Sequence, residues 1–310
     1  PFTNLPMLYA QRGQNDEAIR LWLKAMQVHP EWPMPQLYIA QHLAGLGRLD
    51  ESMAWIEQAS ALADDPVVDL FTVRLYVAFG DTEKAVELLK TLPAEHPLAR
   101  YMDGLVLLLN FDFQGALDYF SAIAASEETG QTSDFPAQVA AQIAIVTDDL
   151  DKAREFILID EPILREDAAL QVDRFTIPAV IRLAYISQRQ GDHGRARELL
   201  LAALPVVREF PRLGWFGQGI QEVRILALLG RKEEALGALR ALVDDGFRNP
   251  VLTDLWSLEE DPFLVILRDD ERFTAILEEV GRSMEQMYDR VLEAERSGDW
   301  ASLRAQARII

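Results

Sequence analysis

Apolar residues recur along this chain at helical spacing, in short stretches separated by polar turns. The stretch Tyr9 to Pro30 reads YAQRGQNDEAIRLWLKAMQVHP, with Ala18, Leu21, Trp22, Ala25 and Val28 forming one apolar stripe after a turn at Gly13 and before a proline stop. Tyr38 to Asp64 repeats it, with Gly47 in the turn and Ser52, Ile56, Ala59 and Leu62 in the stripe. The two glycines lie 34 residues apart.

Five further copies follow. Gly80 precedes Ala85 and Leu89, Ala116 pairs with Phe120, and Ala153 with Ile157. Gly191 leads to Ala196, Leu200 and Ala203, and Gly230 to Ala235, Leu239 and Leu242. The steps between the small residues are 34, 33, 31, 37, 43 and 39, so the later copies carry insertions, placed at Ser126 to Asp134 and Asp160 to Arg174. A small residue where two helices cross lets their backbones approach, and a large one a turn later fills the space beside it. A plain helical bundle gives apolar spacing without repeating glycine, small residue and large residue together.

This combination resembles the tetratricopeptide repeat, whose period is also about 34 residues. The resemblance implies an all-α fold: an α-α superhelix, a tetratricopeptide-like solenoid of about seven helix pairs with C-terminal capping helices. Residues 1–250 are expected to form the solenoid and 251–310 the closing and capping helices. With Tyr9 in register, Pro1 falls inside a first helix, so the first repeat is expected to be truncated and the chain to belong to a longer protein. The stretch WSLEEDPFLVILRDDERFTAILEEV, Trp256 to Val280, predicts two short helices, one begun by Glu259 to Asp261 and one by Asp269 to Glu271. It is similar to the segment closing the tetratricopeptide region of large bacterial regulators and cyclases, where winged-helix, TolB-like or cyclase domains lie upstream. None of the residues of those domains is present, so their activities do not transfer. Ser283 to Ile310 is expected to form amphipathic helices broken at Ser297, Gly298 and Asp299.

Composition narrows the function by exclusion. A formal charge of −20 opposes phosphate-backbone binding, so no direct nucleic-acid contact is expected. No apolar run approaches the length that crosses a membrane, so none is expected to insert. The chain has no cysteine, which removes disulfides, thiolate nucleophiles and cysteine-held metals. His29, His42, His96 and His193 are isolated and read as surface or helix-end residues, not metal ligands. Gly214, Gly217 and Gly219 match no phosphate-loop fingerprint and read as packing glycines. The paired acids Asp148 and Asp149, and Asp64 and Asp65, fall at turns where aspartate caps the next helix. No catalytic constellation and no cofactor site emerge; a non-enzymatic protein is expected.

The resemblance assigns the concave surface to the first helix of each pair. None of the inward positions it selects carries Asp or Glu. Four carry arginine, Arg74, Arg182, Arg189 and Arg224, set among Tyr38, Gln41, Tyr101, Gln138, Gln142, Tyr185 and Gln221. Arginine, amide and aromatic side chains together suit peptide recognition, and arginine forks onto carboxylates, so an acidic or carboxylate-bearing protein or peptide is the expected partner. The lysine and asparagine clamp of chaperone-binding relatives is missing, because Leu37 and Gln41 stand in its place. The function so implied is an interaction or sensor module of a bacterial regulatory protein, with the cytoplasm favoured. The alternative is a scaffold self-associating through Met284, Met287, Val291, Trp300, Leu303, Ile309 and Ile310, as a homo-oligomer.

Overall fold

A computed structural model describes residues 4–62, 66–92, 99–125, 135–161, 164, 171–248 and 255–306. The described residues are helical, with no strand among them. Seven antiparallel pairs follow one another. They are α1 (Asn4–Gln11) with α2 (Asn15–Val28), α3 (Met34–Gly45) with α4 (Leu49–Ser60), α5 (Pro66–Phe79) with α6 (Thr82–Leu89), α7 (Ala99–Leu109) with α8 (Phe113–Ala124), α9 (Phe135–Val146) with α10 (Leu150–Asp160), α11 (Ile177–Arg189) with α12 (His193–Val207), and α13 (Gly219–Leu228) with α14 (Lys232–Asp244). After them come α15 (Glu271–Ser297) and α16 (Trp300–Gln306). The fold is an α-α superhelix.

The small residues sit where helix crossing demands them. Ala18, Ser52, Ala85, Ala116, Ala153, Ala196 and Ala235 are all fully buried, as are the large residues a turn later, from Trp22 and Ile56 to Leu200 and Leu239. Ser52 adds a hydrogen bond to the Ala40 carbonyl at 2.8 Å, satisfying its hydroxyl inside the crossing.

Five residues before each small residue the backbone turns left-handed, and the same pair of bonds closes every first helix. In the first pair, Gly13 N–H donates to Ala10 and Gln14 N–H to Tyr9; in the last, Gly230 donates to Ala227 and Arg231 to Leu226. These are Schellman caps, which consume the orphan carbonyls of a helix end. Gly13, Gly47, Gly80, Gly191 and Gly230 hold the left-handed position, but the fourth and fifth pairs use Phe111 (φ 60°) and Asp148 (φ 62°). The register of those two repeats, where glycine is lost, is thereby fixed by the backbone. Asp81, Asp112, Asp149 and Asp192 follow directly and cap the second helices through their carboxylates. Of the paired acids, Asp149 is therefore a cap, whereas Asp148 is the left-handed residue; Asp64 and Asp65, His96 and the stretch 126–134 lie outside the described residues.

The superhelix closes on itself. Gly214 N–H donates to the Gly45 carbonyl at 2.9 Å, linking the α12–α13 connection to the end of α3. A Cβ on Gly45 would stand 2.5 Å from the Gly214 carbonyl carbon, and one on Gly47 would stand 1.8 Å from the Gly246 oxygen. Only glycine permits this contact. Gly214 is thus a packing glycine, as its sequence context implies, but against the second repeat. Trp215 completes the seam, its ring 5.5 Å from Tyr38 and 5.3 Å from His42. His42 is accordingly a core residue and not a surface one; burial pulls its pKa down to about 4. His29 and His193 are exposed.

The C-terminal segment straps the ring. Its expected first helix is only a 3-10 turn at Val265–Leu267, because Asp261 turns inward and Pro262 follows it. Asp270 caps α15, which then runs unbroken through Ser283 and ends at Gly298 in the left-handed conformation. The break expected at Ser297 to Asp299 is present; the domain boundary near 250 lies outside the described residues. At 27 residues, α15 is roughly 40 Å long, enough to reach from α14 back to α4 and α5. It docks there by burying Met287 and Val291 among the residues of pairs two and three. Polar contacts flank them: Arg290 to Asp50 at 2.6 Å, Tyr76 to Glu295 at 2.8 Å, Lys84 to Glu295 at 2.6 Å, and Tyr288 to Asp81. Burial and these carboxylates push both tyrosine pKa values up. Leu303 of α16 packs on Ala54.

Candidate interaction site

Closing the ring encloses a lumen of about 1460 Å³. Its wall is built by the first helices of pairs three to six, α5, α7, α9 and α11, together with the segment Leu255 to Arg268 and one face of α15. The inward residues read from the sequence divide sharply here.

Five of them line the lumen: Arg74, Gln138, Gln142, Tyr185 and Arg189. Gln142 accepts the Leu255 backbone N–H at 3.1 Å, tying the closing segment to α9, and Gln138 donates to Asp160 at 3.1 Å. Arg189 reaches the Tyr185 hydroxyl at 2.7 Å and Asp148 at 2.8 Å; the hydroxyl and the carboxylate together raise its pKa. Arg74 makes no hydrogen bond or ion pair among the described residues. Its guanidinium is exposed to the lumen but ringed by protein, and the resulting desolvation lowers its pKa.

The other six lie elsewhere. Tyr38 stacks on Trp22 at 4.4 Å in the seam, and Gln41 is half-buried on the same helix. Tyr101 and Arg182 are buried within the main core. Arg224 is 1% exposed, its Nε and Nη2 both 2.7 Å from Oδ2 of Asp261, itself fully buried; Gln221 supports it at 3.3 Å. A groove of four free arginines is therefore corrected. Arg182 and Arg224 are core residues and Arg189 is paired.

No inward position of the first helices supplies Arg224 with a carboxylate. The chain supplies the missing carboxylate from a segment far along the sequence, and Asp261 Oδ1 also accepts the Phe263 N–H at 2.9 Å. Sequence spacing could not place Asp261, whose only local signal is the DP pair that turns it inward.

Sequence reasoning also missed the mouth of the lumen. At the turn end of pairs four to six stand Phe111, 71% exposed, Val146, 43% exposed, and the Arg189 and Asp148 pair. The signal was there in the two repeats whose turns lack glycine. Among the described residues, no group of three or more metal-ligating side chains gathers, and no helix is long and apolar enough to cross a membrane.

Helix pairs with buried small residues at their crossings, identical turns and a concave interior define an α-solenoid of the kind built from tandem repeats. The tetratricopeptide repeat family model matches residues 7–66 and 72–129, so repeats of that family occupy this part of the chain. Among solved structures, a tetratricopeptide repeat protein from Parabacteroides merdae is 15% identical, with 86% of this chain and 91% of that one covered and a TM-score of 0.46. MamA from Desulfovibrio magneticus is 19% identical over 57% of this chain and 95% of its own, with a TM-score of 0.36. The tetratricopeptide domain of P58(IPK) is 14% identical over 96% and 95%, with a TM-score of 0.27. No curated protein matches the chain.

Proposed function

We propose that this chain is a non-enzymatic protein-interaction module, serving as the docking or sensing part of a bacterial regulatory protein, and that its partner is held at the turn-end mouth of the lumen. The observation that carries this reading is Phe111. A left-handed backbone costs an L-residue roughly 1–2 kcal/mol, and this one is spent to hold a phenyl ring 71% exposed. Backbone strain and an exposed aromatic at one place mark a contact surface more than a packing accident. Val146 widens the apolar patch, and the neighbouring Arg189 and Asp148 pair can exchange for a partner carboxylate, which narrows the expected preference for an acidic segment to this arginine.

The self-association reading has no observation in its favour. Met287, Val291 and Leu303 are buried against the chain's own repeats, Met284 and Trp300 are partly buried there, and Ile309 and Ile310 lie outside the described residues. The test is a photo-crosslinking residue placed at Phe111 and, separately, at Leu201 on the outer helix α12, which is 40% exposed. A discrete adduct at position 111 that Val146→Asp removes is expected. Adducts formed at 201 and none at 111 would overturn the placement.

A further inference from the structure

The interior of the lumen poses a problem that the mouth does not solve. Arg74 projects from the middle of α5 between Leu70, Val73 and Val77, and α15 contributes Leu277, Val280 and Met284 to the same cavity. Of the arginines lining this space, three are held by the protein. Arg189 has Asp148 and Tyr185. Arg248 donates to the carbonyls of Val243 and Phe247 and to Ser283, and Arg268 to those of Glu260 and Asp261. Arg74 alone has none among the described residues, and Glu259 and Glu260, which also line the lumen, form no ion pair with it. Its guanidinium is exposed to the cavity and unengaged by the described residues, so it can take the acid group of a ligand without first giving up a partner.

We propose that the interior of the lumen binds a monocarboxylate with a long aliphatic body, its carboxylate taken by Arg74. One guanidinium forks two hydrogen bonds onto one carboxylate, which matches a single negative charge; a phosphate dianion would call for more cations than are free. The body follows from the wall. Leu105, Leu108 and Leu109 on α7 continue the aliphatic lining, while Gln142 is engaged by Leu255 and Tyr185 by Arg189. A peptide threaded here would bring backbone N–H and C=O groups with few partners, whereas an alkyl chain brings none. The volume of about 1460 Å³ exceeds the roughly 300–1,000 Å³ typical of small-molecule sites, so a long chain fits without displacing the strap. This goes beyond the partner surface at the mouth and does not depend on it.

The probe is dodecanoate, titrated calorimetrically into the full chain below its micelle concentration. One-to-one binding is expected, weakened at least ten-fold in Arg74→Met, with dodecanol, which lacks the carboxylate, at least ten-fold weaker on the wild type. Because Arg74 is unpaired, Arg74→Met should melt no lower than wild type without ligand. Should it misfold, Arg74→Lys keeps the charge and loses the fork, and an intermediate loss of affinity is then expected. Absence of dodecanoate binding to the wild type, or equal binding by either variant, would overturn the site. Tighter binding of an apolar hexapeptide with a free C-terminus than of dodecanoate would overturn the aliphatic body. Neither result touches crosslinking at Phe111, which reports the mouth alone.

Discussion

Removing the carboxylate of Asp261 should damage the fold itself. In the native state Asp261 is 0% exposed and Arg224 1% exposed, and the guanidinium lies 5.4 Å from the Phe263 ring and 6.0 Å from that of Trp256. Neither charge can reach water when the other is deleted. Breaking a buried ion pair from one side costs about 3–5 kcal/mol, while replacing both partners with apolar residues of similar volume is often neutral or stabilising. Asp261→Ala should therefore destabilise by that amount, and the Arg224→Met, Asp261→Leu double variant should return to within about 1 kcal/mol of wild type. Hydrogen exchange suits a repeat array better than a single melting temperature, since such arrays unfold in parts. The slowest amides of α13 should exchange two to four orders of magnitude faster in Asp261→Ala, about one order per 1.4 kcal/mol. A single variant costing less than about 1 kcal/mol, or a double variant as unstable as the single, would refute the account of the pair. Arg224→Glu would place two carboxylates together in the core.

Two further outcomes follow from buried or strained positions. His42 has its pKa lowered by desolvation, so the folded state resists a proton that the unfolded chain accepts below about 6.5; stability is unaffected above that pH and falls between 6.5 and about 4. Between pH 7.5 and pH 5 this group should cost about 2 kcal/mol, read as extra loss in urea melts of wild type over His42→Phe, and equal losses in both would remove His42 as the cause. Phe111→Gly should stabilise the fold by up to about 1 kcal/mol in denaturant melts; a destabilised variant would mean that the phenyl ring packs instead of binding.

The solenoid was legible because its information is local. Ala18, Ser52 and their five successors sit at crossings within a single pair, so spacing alone locates them, and all seven proved fully buried. The inward face was half legible for the same reason: position in the repeat says that Arg224 and Arg74 point alike, but not what meets them. What meets Arg224 is Asp261, 37 residues away, and what meets Arg74 is the open lumen. The ring seam was equally hidden, since Gly45 and Gly214 carry no mutual signal. Phe111 is the instructive case. A lost glycine looks like drift in the repeat until the backbone shows that the turn kept its left-handed geometry at a cost.

The strap changes what kind of folding problem this chain poses. An open repeat array is quasi-one-dimensional: each unit touches its neighbours, contacts are short in sequence, and one end can fray without the other. Here Tyr76 meets Glu295 across 219 residues and Arg290 meets Asp50 across 240. Such contacts carry a large loop-closure entropy and form only after the intervening pairs are in place. Folding should end in a slow docking step of α15 that follows the assembly of the repeats. The first and last pairs, independent in an open array, then share one fate.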